Sequence, residues 1–88
     1  MKSYKRKDNI TAAKLDGLLT LFVVNKGSYV NLNSTSSMIW EFLESKLTMK
    51  DLKKRFIEIY DVDDVTLEHD LRLFLNYAKE MDIIDIYE

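Results

Sequence analysis

The chain has 88 residues, 47% of them hydrophobic, and a formal net charge of −2. That length supplies one compact core and no second one, and the aromatic and branched aliphatic content excludes disorder. Without cysteine there are no disulfides or thiolate metal sites, the cytoplasm is the expected compartment, and the slight acidity argues against a general nucleic-acid binder.

The chain opens Met1-Lys2-Ser3-Tyr4-Lys5-Arg6-Lys7-Asp8, basic like the start of a signal peptide, but no apolar stretch of sufficient length follows. The longest apolar run, 18–24, is interrupted by Thr20 and falls far below the roughly 20 residues that span a bilayer. Neither export nor membrane insertion is expected.

Proline is absent, so the two glycines punctuate the chain. Asp16-Gly17 separates two β-prone runs, which is the signature of a type I′ hairpin, because both central residues need positive φ. Asn25-Lys26-Gly27 closes a second turn with Gly27 in the left-handed position. Three antiparallel strands are therefore expected, at about 9–15, 18–24 and 28–32.

The period then switches from two to 3.6. Asn33-Ser34-Thr35 is capping chemistry, and Met38, Ile39, Phe42 and Leu43 follow at helical spacing, predicting a first helix at about 35–45. Thr48-Met49-Lys50-Asp51 has the layout of a capping box, with Leu47 and Leu52 placed as a hydrophobic staple, so a second helix is expected at about 49–60. Asp61-Val62-Asp63-Asp64 ends it and caps a third, at about 65–81. The tail, Ile83 to Tyr87, is apolar enough to dock as a short extended segment. The expected fold is α+β, a three-stranded antiparallel meander followed by three helices, with a winged helix-turn-helix outline over residues 1–88 as one domain.

The third helix carries surplus apolar surface. At about 100° per residue, Leu67, Leu71, Phe74, Ala78 and Met81 form an arc sufficient to dock it, with Leu75 at the margin. Thr66, Asp70, Leu73 and Tyr77 form a separate stripe on its flank. That flank either packs beside a neighbouring element or walls a groove for an apolar ligand. The third strand, Ser28-Tyr29-Val30-Asn31-Leu32, lies at the edge of the meander without the charge or proline that usually protects an edge. Either the chain's own tail covers it, or it accepts a strand from another chain.

The residues Leu32-Asn33, Ile39-Trp40-Glu41, Thr48, Leu52, Tyr60-Asp61-Val62-Asp63, Asp70-Leu71 and Phe74-Leu75 resemble the PqqD-like family, the recognition elements for ribosomally made, modified peptides. The resemblance runs from Leu19 to Ile84. It departs from the family pattern in lacking a glycine near Met81-Asp82 and a proline near Asp64. It implies a non-catalytic domain without cofactor that binds the leader segment of a precursor peptide as an added strand. By position, Ser28, Tyr29, Val30, Asn31 and Leu32 would supply the pairing edge, and Asp70, Leu73, Phe74 and Tyr77 the helical wall. A free-standing chain of this size is most similar to the leader-binding partner of a lasso-peptide leader peptidase, whose leaders carry a Tyr-x-x-Pro motif with its ring in an apolar pocket. The pyrroloquinoline quinone pathway protein, which serves a radical enzyme, is the alternative within the family.

A winged-helix DNA reader is the rival of another class, but Asp61, Asp63, Asp64, Glu68 and Asp70 around the start of the third helix would repel phosphates. Lys50, Lys53, Lys54 and Arg55 on the second helix are either a solvated face or the docking site of the partner enzyme. Catalysis lacks parts: His69 stands between Glu68 and Asp70, and adjacent helical residues project in different directions. Ser34, Ser36 and Ser37 read as local capping serines. The aspartates at 61, 63 and 64 lack the glycine and glutamate of a calcium loop, so no metal is expected.

Overall fold

The computed structural model describes residues 1–88 and places its elements in the order β1 (Ser3–Arg6), β2 (Ile10–Leu15), β3 (Leu18–Val23), β4 (Ser28–Asn31), α1 (Ser34–Phe42), β5 (Leu47–Thr48), α2 (Met49–Ile59), α3 (Asp64–Glu80) and β6 (Ile84–Tyr87). The expected meander is β2-β3-β4, so the expected third strand is β4, at the sheet edge. Its turns form as their residues dictate: Asp16 and Gly17 both adopt positive φ (54° and 80°), and Gly27 sits at 62°. The α+β reading holds, and the structure adds a second sheet, ordered β5-β1-β6.

That second sheet was not anticipated. Residues 3–6 pair antiparallel with β5 and with the C-terminal β6, so the apolar tail docks on the N-terminus instead of on the meander. Only Tyr4 of β1 is buried, which is why no alternating pattern announced a strand there.

Local signals place the helices. Asn33 accepts from the Ser36 N–H (2.8 Å), Thr48 and Asp51 close a reciprocal capping box, and Asp63 accepts from the Thr66 N–H (3.1 Å). On α3, Leu67, Leu71, Phe74, Leu75 and Ala78 are buried, and Met81 packs against the core from its margin. Trp40 is a core residue whose indole N–H donates to the Ile83 carbonyl (3.1 Å). The buried faces of the β2-β3-β4 sheet, of all three helices and of the smaller sheet join in one apolar cluster. No helix is long and apolar enough to cross a membrane.

Candidate peptide-binding groove

In β4 the side chains alternate: Val30 is buried, as is Leu32 just beyond the strand, while Ser28, Tyr29 and Asn31 are exposed. The Leu32 N–H donates to the Leu19 carbonyl (2.9 Å), which sets the hydrogen-bonding phase of the β3–β4 ladder. By antiparallel alternation, the N–H and C=O of Tyr29 and Asn31 then face away from β3. No strand pairs with that side of β4, and β6, formed by the tail, lies in the other sheet. The tail is paired with β1, which leaves this edge open.

The groove begins where β4 ends. Asn33, Thr35, Ser36 and Ile39 form one wall; Asp70, Leu73, Phe74 and Tyr77 of α3 form the other, around a volume of about 400 Å³. The Lys26 ammonium reaches the Glu80 carbonyl (3.5 Å), so the β3–β4 turn lies at the C-terminal end of α3. β4 therefore runs along α3 in the opposite sense. Leu73 is 56% exposed and Tyr77 42%, whereas Phe74 is buried beneath them. The stripe singled out on the helical wheel is thus surplus to the core and faces the groove.

The five expected edge residues and the four helical ones do not play equal parts. Tyr29 and Asn31 present backbone groups, Val30 and Leu32 anchor the strand in the core, and Ser28 begins it. The α1 wall was missed by sequence reasoning. Its signal, Thr35 and Ile39 four residues apart, is indistinguishable from ordinary core spacing. A second, smaller apolar pit of about 210 Å³ continues from the same wall, sharing Thr35, Ile39 and Asp70 and floored by Phe56, Leu67 and Leu71, with Tyr60 and Val62 at its mouth. Asp70 is the only charged residue lining either space.

Ser37 holds the strand end to α1. It is the only buried polar residue; its hydroxyl accepts from the Leu19 N–H (2.9 Å) and donates to the Leu32 carbonyl (3.4 Å). Its expected role as a capping serine is replaced by this bridge between helix and ladder, because burial removes the competing water.

The cationic run on α2 is divided by the fold. Lys53 is bound to Asp64 (3.3 Å) and Glu68 (2.5 Å), and Arg55 lies over the Phe42 ring (5.5 Å). Lys50 opens toward Lys2 and Arg72 on one side, while Lys54 and Arg55 line a separate crevice with Asp51 and Glu58 on the other. The four cations do not form one patch. Glu68 is held below the usual carboxylate range by its hydrogen bonds from Lys53 and then Arg72, which leaves it a weak base beside His69. No group of three or more metal-ligating side chains is assembled.

Comparison with known proteins places the chain by family and fold. Residues 19–84 match the family model described as coenzyme PQQ synthesis protein D. A solved structure described as TbiB1 in complex with the TbiA(beta) leader peptide is 28% identical, with a TM-score of 0.83 over 92% of this chain and 94% of its own. A second, lasso peptide synthetase B1 complexed with the leader peptide, is 22% identical and shares the fold, with a TM-score of 0.78 over 93% and 96% of the two chains. No curated protein sequence matches.

Proposed function

This chain belongs to the PqqD family, and from that premise we propose that it is a non-catalytic adaptor that captures the leader segment of a ribosomally made precursor peptide. The peptide adds as a strand along β4, facing α3, and is delivered to a processing enzyme. The observation that carries this reading is an unpaired backbone edge at Tyr29 and Asn31 that leads, through Asn33, into the crevice lined by the surplus apolar surface of Leu73 and Tyr77. Backbone pairing sets register and the buried anchors supply most of the affinity. The apolar pit beside Tyr60 has room for a leader's aromatic ring, with Asp70 and Thr66 at its rim as hydrogen-bonding partners for a hydroxyl.

The likeness over nearly the whole chain to TbiB1, solved in complex with a leader peptide, supports leader capture; the recipient we propose is a lasso-peptide leader peptidase. The quinone cofactor route, where the recipient is a radical enzyme, is the alternative that the family description keeps in view. Lys50, Lys54 and Arg55 remain the part of the cationic run that is open to an enzyme, since Lys53 is committed to Asp64 and Glu68. A DNA-reading role is opposed by the carboxylates of Asp64 and Glu68 at the start of α3. The shared core of sheets and helices supports treating residues 1–88 as one recognition unit.

Titrating leader peptides, beginning with the TbiA(beta) leader bound by the 28% identical TbiB1, tests the reading. Tyr77→Glu places a charge in the groove and is expected to weaken binding at least about tenfold while the circular dichroism spectrum is retained. Unchanged affinity in a folded Tyr77→Glu variant overturns the groove assignment. Co-purification with a leader peptidase, as opposed to a radical enzyme, decides the recipient.

A further inference from the structure

We propose that Tyr29 is a specificity-determining residue, which reads the side chain of the bound peptide that faces away from the groove. The inference rests on peptide capture along β4 and adds a second reading face to it.

A strand added at β4 turns alternate side chains to opposite faces of the sheet. One set enters the groove against Leu73 and Tyr77. The other joins the outer face of the sheet, where the register aligns Thr11 with Phe22 and Phe22 with Tyr29. That row ends at the open edge. Tyr29 is 72% exposed, with the Phe22 ring behind it at 4.9 Å between centroids. Other side chains as exposed as Tyr29, such as Leu15 and Val65, do not stand on the edge that borders the groove. Tyr29 does, and its backbone N–H and C=O face the incoming strand.

A peptide residue paired with Tyr29 brings its Cβ within about 5.5 Å of the tyrosine Cβ, the distance at which cross-strand aromatic and aliphatic pairs interact. Phe22 backs the ring and limits its escape. Two residues along β4, Asn31 also faces outward, with its carboxamide oxygen accepting from the Thr20 hydroxyl (2.9 Å) and its amide N–H groups left for the neighbour. The adaptor therefore selects an extended peptide with an apolar residue opposite Tyr29, flanked by groove-facing apolar anchors, and a hydrogen-bond acceptor opposite Asn31.

A displayed library of random dodecapeptides, selected in parallel on the wild-type chain and on Tyr29→Phe, Tyr29→Thr and Tyr77→Glu, tests this. Threonine is a strand former, so the β3–β4 ladder is retained in Tyr29→Thr. Wild type and Tyr29→Phe are expected to enrich an apolar residue next to the groove anchor; Tyr29→Thr loses that preference alone and binds the selected peptides about three- to tenfold more weakly. In the wild type, exchanging the outward residue for aspartate is expected to weaken binding as well, which tests the pairing even if the Tyr29→Thr variant does not fold. Identical peptide profiles and affinities for wild type and Tyr29→Thr, with loss in Tyr77→Glu, would overturn the role of Tyr29 and leave peptide capture standing. No enrichment on the wild-type chain would overturn capture itself.

Discussion

Ser37 shows how one side chain couples the fold to the groove. Its hydroxyl satisfies a strand N–H and a strand C=O at the point where β4 gives way to α1. Ser37→Ala leaves the Leu19 N–H buried without a partner, an expected cost of about 1–3 kcal/mol, measured by urea denaturation. A cost near zero would mean that water replaces the hydroxyl. Asp82 is a second case. It adopts φ of 62° where the family resemblance implies glycine, and its carboxylate receives the Lys7 ammonium at 2.6 Å. The strain of a left-handed non-glycine residue is offset by an ion pair that glycine cannot make. Neither role was legible from residue type, because both depend on partners far along the chain.

At the scale of elements, β4 is a strand with one side used and one side free. The phase of its hydrogen bonds separates residues whose replacement breaks the sheet from residues whose replacement affects only the edge. Val30 faces β3, so proline there disrupts the ladder. Asn31 turns its N–H outward, so Asn31→Pro is expected to abolish leader binding while the domain stays folded. Calorimetric titration alongside a thermal melt checks both halves, and a melt collapsed by Asn31→Pro would contradict the assigned phase. The edge and the α3 stripe were legible in advance, since period-two and 100° patterns report which side chains are left over. The α1 wall was not, since Thr35 and Ile39 carry no pattern that distinguishes a groove from a core.

Across the whole molecule, the two ends of the chain pair with each other in the second sheet, and Lys7 ties it to the turn after α3. Its ammonium lies 2.6 Å from Asp82 and 3.7 Å from Asp85. The hydrogen bond to Asp82 raises the Lys7 pKa, and the same bond lowers that of Asp82. A depressed carboxyl contributes stability above its unfolded value and loses it as pH falls through the folded one; a raised lysine contributes below its unfolded value and loses it as pH rises through the folded one. The clamp is thus complete from about pH 5 to 9, and is lost only as pH falls through the depressed Asp82 value or rises through the elevated Lys7 value. Thermal midpoints measured across pH are expected to fall below about pH 4 less steeply in Asp82→Asn than in wild type. Parallel acid limbs would show that the pair contributes nothing.

The amino-acid order alone determined the meander, its two turns, the three helices and their caps, and the stripe of Asp70, Leu73 and Tyr77, because each follows from interactions within a few residues. Only the tertiary structure decided that β1 claims the tail, that the outer side of β4 is therefore vacant, and that α1 closes the groove opposite α3. Those outcomes depend on competition between strands more than seventy residues apart in the chain, such as Ser3 and Tyr87. Pairing over such separations is settled by which edges fit and bury most surface, a comparison no local pattern contains.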